Sequence, residues 1–166
     1  MNTPAPAAAA HAPAPQTPPA PAGLAGMHPA YFAMAMATGI VSVAAHLQGY
    51  RALATTLFYL NVSAYVLLWA LLVLRSVRFG GRVAADFTHH GRAVGFFTAV
   101  AATCVLGTQT LLIGNAWTAA CALWILGIVL WAALTYGVFT ILTVKATKPT
   151  LAEGINGGWL VAVVAA

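Results

Sequence analysis

The sequence predicts an all-α integral membrane protein with four complete transmembrane helices and a truncated fifth. Of its 166 residues, 61% are hydrophobic and only 5% are charged, whereas a soluble domain carries about 25% charged residues. The apolar residues form continuous runs, several about as long as the ~20 residues that a helix needs to cross a bilayer. No alternating strand pattern competes with these runs. This composition excludes an ordinary soluble enzyme and makes the lipid bilayer the first predicted partner.

The charged and reactive residues favour no catalytic, metal-binding or nucleic-acid-binding role. The net charge of +5 reflects seven Lys and Arg against two acids, and these basic residues form no single patch for nucleic acid. Asp86, His89 and His90 share one connection but lack the second ligand cluster that a metal site needs, so we expect a solvated loop there. His46 alone lies within a span, so a haem held by paired histidines is disfavoured. The sequence therefore predicts no cofactor, no metal and no enzymatic activity.

The chain divides into a tail at residues 1–26 and a transmembrane domain at residues 27–166. The tail is mostly Ala and Pro, a composition that blocks helix and sheet and predicts a disordered segment. The first two spans are expected at about residues 30–48 and 52–74. A longer uncharged stretch is divided at the turn signal Gly114-Asn115 into spans at 93–113 and 116–144. A fifth apolar run at 155–166 is too short to cross the bilayer, so we expect an N-terminal fragment of a longer protein.

Lys and Arg residues predict the orientation of the spans. The connections after spans two and four hold six of the seven basic residues, whereas the connection after span one holds Arg51 alone. Cytoplasmic connections carry the excess of Lys and Arg, so both basic connections and the N-terminus are expected in the cytoplasm, in a plasma (inner) membrane. The arginines between spans two and three would raise the anion concentration at a cytoplasmic mouth, although they also fit a role in topology alone. These residues are Arg75, Arg78, Arg82 and Arg92.

Neutral polar residues in spans one and three are candidates for lining a path through the membrane. Small residues make up about half of these two spans, which favours an internal position for both, with spans two and four facing lipid. The pore-lining candidates are Thr38, Ser42, Thr98 and Gln109. Ordinary hydrogen bonding between helices is the alternative interpretation for each of them. The complete spans contain no Lys, Arg, Asp or Glu, which favours a conduit that binds ions weakly over a proton-coupled pump.

The segment before the fifth run combines a helix cap with glycines. Thr150 and Glu153 have the spacing of a capping box after Pro149. Gly157 and Gly158 follow, where they permit a helix break or close helix packing. The sequence predicts a short cytoplasmic helix followed by a loosened start of span five, with Glu153 as a cap favoured over Glu153 as an ion ligand.

Three blocks of sequence resemble one membrane protein family. Residues 28–42 (HPAYFAMAMATGIVS) resemble the first span of the tellurite-resistance/dicarboxylate transporter family, within the voltage-dependent or slow-type anion channel superfamily. Residues 95–98 (GFFT) and 103–109 (TCVLGTQ) resemble its third span, and residues 148–160 (KPTLAEGINGGWL) the start of its fifth. The blocks occur in the same order as in the family.

The resemblance implies an anion channel or passive transporter of which this chain is the N-terminal half. It implies ten spans, with odd-numbered helices around the pore, and a homotrimer with one pore in each subunit. The implied substrates are small inorganic or carboxylate anions, such as tellurite, dicarboxylates, sulfite, nitrate or halides. A non-transporting membrane anchor or assembly subunit is the alternative function; it would copurify with a partner and carry no flux.

Overall fold

The computed structural model describes residues 23–144 and 159–160, and within these ranges it contains helices and turns but no strand. The α-helices are α1 (Phe32–Leu47), α2 (Arg51–Arg78), α3 (Gly80–Thr88), α4 (His90–Ala93), α5 (Phe97–Leu112) and α6 (Trp117–Val144). Short 3-10 turns lie at Gly23–Gly26, Pro29–Tyr31 and Val94–Phe96. The all-α fold class predicted from the sequence is confirmed.

Four helical stretches in the described ranges are long and apolar enough to cross a membrane: Pro29–Leu47, Arg51–Arg78, His90–Leu112 and Trp117–Val144. They coincide with the four complete spans expected from the apolar runs. The largest differences in bounds are at the end of the second span and the start of the third. Helices continue past the last apolar residue there because arginine side chains can leave the apolar layer while their backbone stays helical.

Two tight turns join the spans into hairpins, and each uses a left-handed backbone conformation. Gly49 has φ 87° between α1 and α2, and Asn115 has φ 50° between α5 and α6. Gly and Asn are the residues that adopt this conformation at lowest cost, and they commonly end helices in this way. The turn expected at Gly114-Asn115 is therefore present.

Helix α5 is the centre of the packing. It contacts α1 on one side and α6 on the other, and α1 in turn packs against α2. In α5 and its lead-in, 72% of the apolar window is buried, against 28% for the first span, 22% for the second and 17% for the fourth. The expected internal position holds for span three. Within the described residues span one buries a single stripe, and its internal position stays a prediction.

The connection between the second and third spans is ordered, contrary to the solvated loop expected from its polar residues. Helices α3 and α4 and a 3-10 turn fill it, and the rings of Phe87 and Phe96 stack with centroids 4.0 Å apart. Asp86 is buried. The last residues of the expected disordered tail, Gly23–Gly26, also form a 3-10 turn. The rest of the tail up to residue 22 lies outside the described residues.

Candidate functional site

A junction of neutral polar groups joins three helices within the membrane-spanning layer. Asn61 on α2 donates from Nδ2 to Oε1 of Gln109 on α5, with 2.5 Å between the two atoms. Both side chains are fully buried. Gly39 on α1 completes this amide junction, because a Cβ atom there would lie 2.9 Å from Asn61 Nδ2 and 3.0 Å from Gln109 Oε1. The absence of a side chain at Gly39 thus lets α1 approach the two amides.

The amide junction keeps unused hydrogen-bonding capacity in a buried place. Asn61 Oδ1 and Gln109 Nε2 are buried without a partner. An unpaired donor or acceptor costs more in a low-dielectric interior than at a surface. The junction therefore offers one acceptor and one donor that are neutral, and neither carries a charge that would trap an ion.

Two further hydrogen bonds tie α2 to the same pair of helices. Ser42 Oγ on α1 donates to the carbonyl oxygen of Ala54 over 2.8 Å. The Tyr65 hydroxyl on α2 lies 2.7 Å from Oγ1 of Thr103 on α5. Thr103 in turn donates to the Ala99 carbonyl, so the Tyr65 hydroxyl is the donor of the pair. Polar groups of α2 are thus matched to α1 and α5 between Ala54 and Tyr65.

The structure places the four pore-lining candidates in different environments. Gln109 lies in the amide junction, and Ser42 faces α2. Thr98 is buried where α5 begins, and its hydroxyl donates to the carbonyl of Gly95 over 2.6 Å, with the Pro29 carbonyl oxygen at 3.3 Å. Thr38 is half-buried on α1. Gln109, Ser42 and Thr98 thus make hydrogen bonds within or between helices, which was the alternative interpretation, and their role in lining a path stays a prediction.

Sequence reasoning missed Asn61 and Gly39 as members of the junction. Asn61 lies in the span with the bulkier residues, whose composition predicts a lipid-facing helix. A carboxamide within an apolar run was nevertheless a usable signal, because it must find a partner in the membrane. Its partner, Gln109, is 48 residues away in the chain, and no local pattern connects the two positions.

A charged cluster lies where the second span ends and the third begins. It is formed by Arg75 at the end of α2, Asp86 on α3 and Arg92 on α4. Arg75 Nη2 lies 2.7 Å from Asp86 Oδ2, and Arg92 Nε lies 2.5 Å from Asp86 Oδ1. The Arg75 side chain is 1% exposed. The carboxylate of Asp86 therefore neutralises a buried guanidinium, which would be costly without it.

The same two guanidinium groups hold the segment that leads into the first span. Arg92 Nη2 donates to the Met27 carbonyl over 3.2 Å, and Arg75 Nη2 lies 3.4 Å from the Ala25 carbonyl oxygen. This arginine–aspartate cluster connects the N-terminal segment, α2, α3 and α4. The signal in the sequence was the scarcity of acids: a lone carboxylate among four arginines was a candidate for pairing.

His28 caps the N-terminal end of the first span. Its Nδ1 accepts a hydrogen bond from the Ala30 backbone N–H over 3.1 Å. Burial lowers the pKa of His28 below 6.5, and the positive charge of Arg92 adds to this effect. The neutral imidazole keeps the Nδ1 lone pair available for the cap. Gly95 packs directly against this turn, since a Cβ atom there would be 3.0 Å from the Ala30 nitrogen.

The arginines expected at a cytoplasmic mouth separate into two pairs. Arg75 and Arg92 are engaged with Asp86. Arg78 and Arg82 are exposed, and the Arg82 guanidinium carbon lies 5.6 Å from the centre of the Phe79 ring. The positions predicted to cap and loosen the start of span five, Thr150, Glu153, Gly157 and Gly158, lie outside the described residues. Trp159 is described, and its ring centroid is 5.9 Å from that of Phe139 on α6.

Comparison with protein-family models identifies the family to which the chain belongs. The model of the SLAC1 family, described as voltage-dependent anion channel, matches residues 26–166. The chain belongs to the voltage-dependent anion channel family. No curated protein and no solved structure matches it. The matched range begins at Gly26, so it takes in Met27 and His28 together with all six α-helices.

Family membership gives the general function. Voltage-dependent anion channel proteins are channels and transporters rather than enzymes, and their substrates are anions. The chain is therefore a multi-pass membrane protein of an anion-transporting family. The superfamily expected from residues 28–42 and the later blocks is confirmed at this level.

Proposed function

We propose that the protein moves small anions through the membrane as a channel or passive transporter, with substrates in the tellurite, dicarboxylate, sulfite, nitrate or halide class. The observation that carries this proposal is the combination of charge-free spans with a neutral polar junction. Residues 52–74 and 93–144 contain no Lys, Arg, Asp or Glu, and the buried polar groups between these helices are amides and hydroxyls.

Neutral donors suit the passage of anions because an ion must bind well enough to enter and weakly enough to leave. A fixed positive charge in a low-dielectric layer would hold an anion strongly. Amide N–H and hydroxyl groups offer hydrogen bonds without that trap. Thr38, Ser42, Thr98 and Gln109 remain the proposed lining residues.

The proposal includes a location, an orientation and an assembly. We place the protein in the plasma (inner) membrane with its N-terminus in the cytoplasm, because six of seven basic residues lie in the two connections on that side. The homotrimer implied by the family resemblance is proposed for the full-length protein. Cross-linking followed by mass measurement in detergent tests the assembly, and labelling of a cysteine placed near the N-terminus in intact cells tests the orientation.

The main test combines anion flux with cysteine accessibility in the full-length protein. Cys104 and Cys121 are first replaced by Ser, and Ser42 or Thr98 is then replaced by Cys. If these positions line the path, an anionic, membrane-impermeant thiol reagent will modify them and block chloride or nitrate flux in liposomes. Tyr59→Cys is the matched control, because Tyr59 is exposed on the lipid-facing helix α2.

Two outcomes would contradict different parts of the proposal. Absence of flux for every small anion in a correctly folded, full-length protein would contradict passive anion transport. Flux that persists while the reagent leaves Ser42→Cys and Thr98→Cys unmodified would contradict the lining assignment alone, and would favour a purely structural role for these hydroxyls.

A further inference from the structure

Two exposed arginines, Arg78 at the end of α2 and Arg82 in α3, lack a negatively charged partner within the part of the chain that the structure describes. Both salt bridges in residues 23–144 use Asp86, and their other partners are Arg75 and Arg92. Arg78 and Arg82 remain exposed. The whole sequence contains only one further acid. The chain therefore supplies little negative charge to balance these two arginines.

An apolar groove lies along one face of α2, on the N-terminal side of Arg78. It has a volume of about 610 Å³ and lies between the N-terminal segment, the start of α1 and one face of α2. Its walls include Leu24, Met27, Met34, Leu67 and Leu71. Leu67, Leu71 and Arg78 follow the spacing that places residues along one stripe of a helix. Arg78 therefore lies on the same stripe of α2 as Leu67 and Leu71, beyond the last groove residue of that helix.

The length of this stripe matches one leaflet of a bilayer. Arg78 lies eleven positions after Leu67, which corresponds to about 16 Å along a helix axis. Half of the hydrocarbon layer of a typical bilayer is about 15 Å thick. A molecule with a negative head at Arg78 and an extended apolar chain beside Leu71 and Leu67 has the dimensions of a membrane phospholipid.

We propose that this groove binds an anionic phospholipid of the adjacent leaflet, with its headgroup phosphate on Arg78 and Arg82 and an acyl chain along α2. Arginine forms bidentate hydrogen bonds with phosphate oxygens, and the stacking of Arg82 on Phe79 holds one guanidinium close to the surface. Anionic lipids concentrate in the cytoplasmic leaflet, where each nearby basic residue strengthens binding.

Two other occupants fit the groove less well. The first 22 residues of the chain contain no acid and, apart from Met1, no large apolar side chain, so they can neither neutralise the arginines nor fill a leucine-lined groove. A second copy of the chain brings the same positive charges, and its Asp86 is already paired. Charge complementarity thus favours a lipid over a segment of protein.

Native mass spectrometry of the full-length protein, released from nanodiscs of phosphatidylcholine containing phosphatidylglycerol, tests the headgroup site. We expect retained phosphatidylglycerol to exceed phosphatidylcholine by on the order of tenfold at equal mole fraction, since two arginines contribute. The double substitution Arg78→Gln and Arg82→Gln should remove this preference. Arg51→Gln is the matched control, because Arg51 is exposed at the opposite end of α2, and it should leave the preference unchanged.

A second pair of variants tests the groove. Leu71→Trp fills it without changing any charge and should reduce retained phosphatidylglycerol several-fold, whereas Leu60→Trp, on an exposed part of α2 outside the groove, should not. Equal retention of both lipids by the unmodified protein would overturn the proposal, as would retention that survives loss of both arginines. An unchanged result for Leu71→Trp would overturn the acyl-chain part. The readout does not depend on anion flux.

Discussion

The amide junction and the arginine–aspartate cluster both hold helices together, one with neutral groups and the other with charged groups. The amide junction of Gly39, Asn61 and Gln109 lies within the spans and is neutral. The arginine–aspartate cluster of Arg75, Asp86 and Arg92 lies at the ends of the spans and is charged. Both connect helices that are distant in sequence. The difference shows that charged side chains lie where an opposite charge and backbone carbonyl oxygens stabilise them. The membrane layer holds neutral groups that need hydrogen bonds alone.

The largest expected effect comes from removing the charge of Asp86. The substitution Asp86→Asn keeps the shape of the side chain but leaves the buried Arg75 guanidinium without a counter-charge. Breaking one side of a buried ion pair costs about 3–5 kcal/mol, so we expect a large drop in the midpoint of thermal unfolding in detergent. Arg82→Gln serves as the control, since Arg82 is exposed. Equal stability of the two variants would mean that the cluster does not stabilise the fold.

The next effect concerns the close approach of α1 to the amide junction. In Gly39→Ala the new Cβ would clash with Val105 Cγ1 and with both amides, so these side chains must rearrange or the helices must separate. Overpacking of this kind costs about 1–3 kcal/mol. Gly137→Ala is the matched control, because nothing lies within 4 Å of a Cβ there; its unfolding midpoint should stay or rise, as alanine favours helix. A Gly39→Ala protein as stable as the control would show that the junction tolerates displacement.

A double-mutant cycle at Asn61 and Gln109 measures the coupling within the amide junction. Each single change to Leu leaves the other amide unpaired, at a cost of about 1–3 kcal/mol, although hydrogen bonds in membrane proteins average only about 0.6 kcal/mol. We expect the double variant to be less destabilised than the sum of the two single variants. Strict additivity of the three unfolding free energies would argue against a direct interaction.

The smallest expected effect is the pH dependence contributed by His28. Because its pKa is lowered in the folded protein, the folded state prefers the neutral imidazole, and this contribution is full above pH 6.5. It declines as the pH falls from 6.5 through the lowered pKa, since the unfolded state then binds more protons. The groups that act on His28 are Arg92, Arg75 and His89, which oppose its protonation, and Asp86, which favours it.

The substitution His28→Asn tests this contribution because Asn keeps an N-cap acceptor without titrating in this range. We expect the unfolding midpoint of the unmodified protein to fall more between pH 7.5 and pH 5.5 than that of His28→Asn. Parallel pH profiles for the two proteins would assign the pH dependence to other groups.

The sequence by itself determined the fold class, the four spans and the turn at Gly114-Asn115. These features are local, because a helix in lipid satisfies its backbone hydrogen bonds within itself. Its side chains must also suit the lipid, so each span is visible as a continuous apolar run. The resemblance carried by residues 28–42 and the later blocks also identified the superfamily. Some of the polar contacts had a local signal as well, because Thr98, Ser42 and Gln109 were candidates for hydrogen bonding between helices.

Only the tertiary structure decided which groups meet. Asn61 pairs with Gln109 across 48 residues, and Asp86, expected in a solvated loop, is buried between two arginines. It also decided that span one buries a single stripe while α5 is buried on most sides, although both have a similar share of small residues. Such outcomes depend on the directions in which helices cross and on which faces remain open. Composition records which residues a helix carries, whereas burial depends on its neighbours in space.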